Sequence, residues 1–324
     1  MGYCRVKQVN KDNQQKRKRL ISYWQWFVAV PILIIFVVWV EYKFGWVTFL
    51  KAWQRLSPAA VVIALVLIFI TYFLRTVRFY YYFYPEMRGR FRLCLCLFLT
   101  HNFFNSILPM RSGEIAFPIL MKRWFSISMG RSVPGLLWFR FIDLHTLLIL
   151  SIFAVLYGYV VTFYGIPLMF LLILLPVGFY LSRGIISNFI GDSEFRLWVI
   201  VKKLVNGIPS TPKVFTMTWI LTVTNWVAKL SVFSWLINQF TRLTFHKSLF
   251  AGLVGEFTSV LPIHGLAGAG TYETGVAAPL KAYGVSLENS VQAAVNLHLF
   301  ILSAVFIGGL TGFILKWLLS FNSE

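Results

Sequence analysis

The amino-acid sequence predicts an all-α, polytopic integral membrane protein, and three observations carry this prediction. Hydrophobic residues make up 58% of the 324-residue chain, whereas only 13% of its residues are charged. Five apolar runs are long enough, or nearly long enough, to cross a hydrocarbon core of about 30 Å as helices. These runs are 23–40, 59–74, 144–164, 167–181 and 299–315. The alternating pattern of a transmembrane β-barrel is absent from the sequence, so helices are expected to satisfy the backbone hydrogen bonds in lipid.

The distribution of basic residues argues against a nucleic-acid partner. The net charge is +19, but the Lys and Arg residues are dispersed among the segments between spans instead of forming one soluble face. Residues 1–20 are polar and basic, and no small-residue cleavage site follows the next apolar run. We therefore expect a cytoplasmic tail over 1–20, a retained first helix and a single transmembrane domain over 21–324.

The sequence offers no chemistry for a cofactor or a metal ion. Cys4, Cys94 and Cys96 form neither a disulfide framework nor a metal-ligand spacing with the histidines. A Walker phosphate-binding motif is also absent from the sequence. We expect no cofactor and no metal.

The positions of basic residues in the loops predict the orientation of about six full spans. Taken in order, the spans cover about 21–40, 58–74, 133–163, 167–182, 214–239 and 287–318. A basic cluster after the second span, from Arg75 to Arg92, is expected in the cytoplasm because cytoplasmic loops are enriched in Lys and Arg. This orientation predicts a multi-pass protein of the cytoplasmic (inner) membrane with both termini on the cytoplasmic side.

Two polar interruptions divide the remaining apolar sequence. Residues 106–114 have the sequence S-I-L-P-M-R-S-G-E, and residues 259–265 have the similar sequence S-V-L-P-I-H-G. Proline removes a backbone donor and ends a helix, whereas glycine lets the chain turn where a side chain would collide. We therefore predict two broken re-entrant hairpins. Their structural breaks are Pro109, Gly113, Pro262, Gly268 and Gly270.

The two hairpins belong to two predicted repeats, about 58–164 and 214–318. The first hairpin is expected to enter from the cytoplasmic side and the second from the outside, which relates the repeats by inversion across the membrane plane. Inverted repeats with discontinuous helices are a recurrent plan of transporters. Because a helix that ends inside the bilayer exposes unpaired backbone groups, the interruptions predict a polar site near the midplane. Kinks that serve only helix packing are the alternative.

Charged residues in or beside the spans are the candidates for this site, because a buried carboxylate needs a cavity or a partner. Arg111 and Arg140 are expected to hold a phosphate, since a guanidinium presents a planar fork of donors. Arg140 and Asp143 share a helix face, so a local ion pair between them is expected. The candidate substrate-binding residues are Asn105, Arg111, Glu114, Arg140, Asp143, His264 and Glu273.

Several roles stay open at this point. Glu114 and Glu273 could balance the arginines, bind a proton, or accept hydrogen bonds from a substrate's amine or hydroxyl groups. Lys229 lies in the interior of the fifth span, where it either snorkels to the interface or faces the cavity. We favour the cavity for Lys229.

Three motifs resemble the membrane region of lysylphosphatidylglycerol synthases, a flippase-like family that also occurs as stand-alone membrane proteins. The motifs are N-S-I-L-P-M-R-S-G-E, W-F-R-F-I-D-L-H-T-L-L and L-P-I-H-G-L-A-G-A-G-T-Y-E. The resemblance covers most of the chain, from the first span to the C-terminus. It implies lipid handling, because in the bifunctional members the membrane region moves an aminoacylated phosphatidylglycerol between leaflets after a cytosolic domain has made it.

The resemblance carries over residue by residue, with departures. The matching positions are Asn105, Pro109, Arg111, Gly113, Glu114, Arg140, Asp143, Pro262, Gly268 and Glu273. Phe139 stands where many members carry a glutamate before the arginine, so an ion pair that relies on that glutamate is not expected. The 324 residues include no aminoacyl-transfer domain, so the lipid is not expected to be restricted to an aminoacylated one.

The expected function is flippase-like translocation of an anionic phospholipid or a lipid-linked sugar between leaflets, with the headgroup phosphate held by Arg111 and Arg140. We favour such a transporter over an enzyme. One alternative is a membrane transferase that modifies a lipid, for which Asp192 and Glu194 are the main acidic loop residues. The other is a non-transporting accessory subunit of such an enzyme. Expected partners are a membrane lipid, a lipid-synthesising enzyme of the cytosol or membrane, and a second copy of the chain.

Overall fold

The computed structural model describes residues 30–31, 33–156, 170–190, 195–260 and 266–321, and all regular secondary structure in these ranges is helical. The helices are α1 (Leu33–Lys43), α2 (Trp46–Leu50), α3 (Pro58–Tyr82), α4 (Tyr84–Met87), α5 (Phe91–Ile107), α6 (Ala116–Phe125), α7 (Met129–Leu156), α8 (Leu175–Ile190), α9 (Arg196–Asn206), α10 (Pro212–Thr241), α11 (Phe245–Val260), α12 (Thr271–Ala282) and α13 (Leu287–Phe321). The predicted all-α class is confirmed.

Four of these helices, α3, α7, α10 and α13, are long and apolar enough to cross a membrane. They coincide with the second, third, fifth and sixth predicted spans, and a multi-pass membrane protein is therefore confirmed. Half of the first predicted span, residues 21–29 and residue 32, falls outside the described residues. Its described end, α1, is followed after a bend of 84° by Trp46–Arg55, and this pair is a broken span or a re-entrant loop. The fourth predicted span, 167–182, also begins outside the described residues.

Helices α3 and α10 begin in the same way, and they pack against each other. Ser57 accepts the backbone N–H of Ala60 at 3.2 Å, and Thr211 accepts that of Val214 at 3.4 Å. Each capping residue is followed by a proline at the start of the helix, where the missing N–H has no intrahelical acceptor to lose. The two central helices therefore start from matched capping signals in the sequence.

Helices α5, α7, α11 and α13 each contact one or both members of this central pair. Helix α5 lies on α13, and α11 lies on α7 and α12. Small residues permit the approach of α5 to α13: a Cβ on Gly309 would lie 2.5 Å from the Phe103 ring, and one on Gly312 would lie 2.9 Å from Leu99 Cβ. Close contact through glycine is a common way for helices to associate in lipid, where apolar burial alone provides no driving force.

Candidate functional site

The first predicted interruption ends a helix. Helix α5 stops at Ile107, Leu108 is extended, and a 3₁₀ turn over Pro109–Ile115 leads into α6. A Cβ on Gly113 would lie 2.3 Å from the Phe104 carbonyl oxygen and 2.4 Å from Asn105 Cα. Only a hydrogen fits at this position, so Gly113 allows the turn to fold back onto the end of α5.

The second predicted interruption lies between α11 and α12. Residues 261–265, which include Pro262 and His264, fall outside the described residues. The chain is described again at the 3₁₀ turn Leu266–Gly268. Gly268, which ends this turn, has a φ of +79°, and Gly270 has a φ of +85°. These left-handed conformations favour glycine. The backbone N–H of Gly270 donates to Oε2 of Glu273 at 2.7 Å and so caps the start of α12.

The two interruptions meet, since the turn Pro109–Ile115 contacts the turn Leu266–Gly268. A cavity of about 440 Å³ lies beside this contact, and residues of α3, α5, α7, α10, α11 and α13 contribute to its wall. Five of the residues expected from the sequence line the cavity: Asn105, Glu114, Arg140, Asp143 and Gly268. The backbone of Arg111 lies in the first turn, and its side chain is outside the described part of the chain.

The expected local ion pair between Arg140 and Asp143 is replaced by two pairs with other elements. Arg140 Nη2 lies 3.0 Å from Oε1 of Glu114, in the first turn. Asp143 accepts from Arg78 on α3, with Nη1 at 2.6 Å and Nη2 at 3.3 Å. Arg140 and Asp143 thus pair with residues of the first turn and of α3 instead of with each other. The bidentate pair of Arg78 and Asp143 is stronger than a single contact along one helix.

Arg75 and Arg78 lie inside the protein instead of in a cytoplasmic cluster, which corrects the expectation from loop charges. Helix α3 continues to Tyr82 instead of ending near residue 74. Arg78 is 3% exposed, and Arg75 lines the cavity with its guanidinium carbon 5.1 Å from the centre of the Trp226 ring. The physical reason is that Asp143 and Trp226 supply partners that compensate burial of these cations.

One signal in the sequence could have identified Arg75. Arg75 and Lys229 occupy the same position counted from Pro58 and Pro212, the prolines that begin α3 and α10. Lys229 faces the cavity, as we favoured from the sequence, and its Nζ lies 2.8 Å from Oε1 of Glu256. The matched spacing therefore links two cations of one cavity.

Phe139 lies in the wall behind the cavity. The side chain is 1% exposed, and its ring lies 4.6 Å from the Phe79 ring in an edge-to-face arrangement. The guanidinium carbon of Arg78 lies 4.7 Å from the centre of the Phe139 ring. The negative face of the aromatic ring thus meets a cation that is also paired with Asp143.

Glu273 does not line the main cavity, but its partner does. The Oε1 atom of Glu273 lies 2.6 Å from Nδ1 of His298, whose ring lines the cavity. On its other side Glu273 borders a second cavity of about 260 Å³, together with Phe36 and Trp39. The Glu273–His298 pair therefore lies in the wall between two cavities.

Among the described residues, no group of three or more His, Cys, Asp or Glu side chains is placed to hold a metal ion. The chemistry that the described site offers is instead that of charge and hydrogen bonding: four cationic side chains, four carboxylates and the amides of Asn102 and Asn105 lie in or directly behind one cavity. Such a set can bind a polar, charged group inside a helical membrane domain.

Comparison with known proteins gives a family. The family model for the lysylphosphatidylglycerol synthase TM region matches residues 26–309. No curated protein and no solved structure gives a significant match. The matched region includes both interruptions, the whole of α3, α7 and α10, and α13 as far as residue 309, so the resemblance noted from three motifs extends over most of the chain. The chain belongs to the lysylphosphatidylglycerol synthase transmembrane region family.

Proposed function

We propose that the protein translocates a phosphate-bearing lipid, an anionic phospholipid or a lipid-linked sugar, between the leaflets of the cytoplasmic membrane. The single observation that carries this proposal is the charged cavity at the contact between the two interrupted segments. Ionisable side chains inside a membrane domain are rare and commonly mark the path of a substrate or an ion. Membership of a family named for a lipid product supports a lipid as that substrate.

The packing supports the proposed inverted repeat. Helices α3 and α10, the first helices of the two repeats, pack against each other. The broken segment of each repeat packs against the last helix of the other: α5 on α13, and α11 on α7. Exchange of equivalent contacts between two halves is what a pseudo-two-fold axis produces. We propose that the halves rock about the shared cavity and so expose it to one leaflet and then to the other.

In this mechanism the headgroup enters the cavity while the acyl chains stay in lipid. Arg140 and Arg111 are proposed to receive the phosphate, with Asn105 as an additional hydrogen-bonding group. The Glu114 carboxylate lies 3.0 Å from Arg140 and compensates part of the free-energy cost of burying its guanidinium. An arriving phosphate therefore competes with Glu114 for Arg140. The driving force is proposed to come from a gradient, a partner or the lipid concentration. Both termini, by this proposal, face the cytoplasm.

A leaflet-exchange assay tests the proposal. The purified full-length protein is reconstituted into phosphatidylcholine vesicles that contain fluorescent phosphatidylglycerol, and loss of outer-leaflet fluorescence to a membrane-impermeant quencher is followed. Wild-type protein is expected to expose the inner-leaflet pool, and Arg140→Gln and the double variant Arg111→Ala/Glu273→Ala are expected to slow exchange about tenfold or more. Arg88→Gln removes an exposed cation and is the matched control.

The outcome also separates the alternatives. Equal exchange by wild type and by both cavity variants would contradict transport through this site. Binding of phosphatidylglycerol without exchange in any reconstitution would instead favour an accessory role beside a lipid-synthesising enzyme. A transferase would use Asp192 and Glu194, the main acidic loop residues. Both residues lie outside the described residues, and we propose no enzymatic step.

A further inference from the structure

We infer that the cavity selects lipids whose headgroup carries net negative charge, and that Arg75 joins Arg140 and Arg111 in receiving the phosphodiester. This inference rests on the proposed function, because it names the substrate class of the same site. It also predicts that this chain prefers a different substrate from that of a protein that carries an aminoacylated, positively charged lipid.

The first step is the charge balance of the cavity. Its three carboxylates are each paired with a cation: Glu114 with Arg140, Asp143 with Arg78, and Glu256 with Lys229. Glu273, behind the wall, is paired with His298. A further cation, Arg75, lines the same cavity. No carboxylate among the described residues lies within ion-pair distance of Arg75, so this cation, unlike Arg140, Arg78 and Lys229, has no acidic partner there.

The second step is the state of the Arg75 guanidinium. Its Nε and Nη2 atoms are buried and have no hydrogen-bond partner among the described residues. Buried donors of this kind are rare in folded proteins and costly when unpaired, more so when they are charged. The guanidinium lies over the Trp226 ring at 5.1 Å, an arrangement that compensates the charge but satisfies none of the N–H groups. These donors are suited to phosphate oxygens.

The third step is the comparison of Arg75 with Lys229, its counterpart in the second repeat. The Lys229 ammonium lies 4.9 Å from the centre of the same Trp226 ring. Glu256 neutralises Lys229 at 2.8 Å, whereas the nearby Asp143 carboxylate is already held by Arg78 and by Trp226 Nε1 at 2.9 Å. The two proposed repeats thus place two cations at one aromatic ring, and two donor atoms of the first-repeat cation, Arg75, have no hydrogen-bond partner among the described residues.

The substrate class follows from this balance. The single negative charge of a phosphodiester such as phosphatidylglycerol offsets the charge of Arg75, for which the described residues provide no carboxylate partner. An aminoacyl headgroup adds ammonium groups, and these would enter a cavity in which every described carboxylate is already paired. In a poorly hydrated cavity such like-charge contacts are strongly unfavourable. We therefore expect preference for a net-anionic lipid over zwitterionic and cationic ones.

A competition assay on the full-length protein in detergent micelles tests this inference. Bound fluorescent phosphatidylglycerol is displaced by unlabelled phosphatidylglycerol, phosphatidylcholine or lysylphosphatidylglycerol. For wild type, phosphatidylglycerol is expected to displace the probe at a concentration about tenfold or more below the other two. Arg75→Gln is expected to weaken probe binding roughly 10- to 100-fold and to bring the three competitors together. Arg75→Lys keeps the charge and is expected to retain part of the preference. Arg88→Gln is expected to match wild type.

Two results would overturn the inference: displacement of the wild-type probe by lysylphosphatidylglycerol as efficiently as by phosphatidylglycerol, or unchanged binding in folded Arg75→Gln. The wild-type series decides the matter even where Arg75→Gln does not fold. The proposed function fails separately. If Arg75-dependent binding is found without leaflet exchange, the inference stands and translocation falls; if Arg75→Gln binds and exchanges as wild type does, translocation stands and the inference falls.

Discussion

The guanidinium of Arg78 lies 2.6 Å from the carboxylate of Asp143, and the two side chains are only 3% and 10% exposed. The pair joins α3 to α7, and it extends to α10 because Arg78 Nη1 donates to Thr222 Oγ1 at 2.8 Å while Trp226 Nε1 donates to Asp143 at 2.9 Å. Three of the four apolar helices therefore share one hydrogen-bonded charge cluster behind the cavity.

Removal of one partner of this pair is expected to destabilise the protein strongly. Asp143→Asn leaves the Arg78 cation buried without its counter-charge, and breaking a buried pair in this way costs about 3 to 5 kcal/mol. The measurement is thermal or chemical unfolding of the full-length protein in detergent. The double variant Arg78→Met/Asp143→Leu removes both charges. Its loss in the free energy of unfolding is expected to be clearly smaller than the sum of the losses for the two single variants.

A more exposed pair provides the control for this prediction. Glu86 Oε1 lies 3.2 Å from Nε of Arg131, and the side chains are 31% and 41% exposed. Because solvent screens such a pair, Glu86→Gln is expected to cost less than about 1 kcal/mol. A loss for Asp143→Asn no larger than that for Glu86→Gln would contradict the role of the buried cluster.

Gly113→Ala is expected to disrupt the contact between the first turn and α5. The added Cβ would lie 2.3 Å from a backbone oxygen of Phe104, and backbone cannot move aside as the end of a side chain can. We expect a loss of about 1 to 3 kcal/mol and a matching fall in leaflet exchange, because the turn carries Glu114 into the cavity.

Gly184→Ala is the matched control for this change. Gly184 lies in α8, and a Cβ there would meet nothing within 4 Å. Alanine in a helix interior is expected to be neutral or to stabilise by up to about 1 kcal/mol. Equal stability of the Gly113 and Gly184 variants would show that the first turn relaxes freely and that the close approach has no energetic consequence.

The sequence predicted the helical class, four described spans and the positions of the chain breaks, because these features follow from local composition. Length and apolarity define a span, and Pro109 and Gly113 impose their backbone preferences wherever they stand. The partners of the charges could not be predicted in the same way, since they depend on which helices meet. Arg78 illustrates the difference: loop-charge rules assigned it to the cytoplasm, and only packing of α7 against α3 places Asp143 beside it.

Variants of the Lys229–Glu256 ion pair can show whether the pair serves stability, lipid exchange or both. Lys229→Met is expected to cost about 3 to 5 kcal/mol, because the Glu256 carboxylate, 6% exposed, would lose its cation. Lys229→Met/Glu256→Gln removes both charges and is expected to recover most of the stability. If the pair opens during the transport cycle, the double variant folds normally yet exchanges lipid at a reduced rate.

Lys213→Met is the appropriate control, because Lys213 is an exposed lysine at the start of the same helix. Its removal is expected to leave unfolding and exchange unchanged. Full exchange activity in the stable double variant would assign the Lys229–Glu256 pair to structure alone.

The two oxygens of Glu273 perform two tasks that can be tested separately. Oε2 accepts the N–H of Gly270, and Oε1 contacts His298, so one carboxylate both caps α12 and ties it to α13. Glu273→Gln retains one acceptor oxygen and is expected to keep the cap, whereas Glu273→Ala loses both contacts. Loss of a helix cap alone costs about 0.5 to 2 kcal/mol, and the alanine variant is therefore expected to be less stable than the glutamine variant by at least the lower figure. In His298→Asn the amide nitrogen can replace Nδ1, so the stability of this variant is expected to fall between those of Glu273→Gln and Glu273→Ala.

Equal stability of Glu273→Ala and Glu273→Gln would mean that α12 is held by packing alone, and that the wall between the two cavities does not depend on this carboxylate.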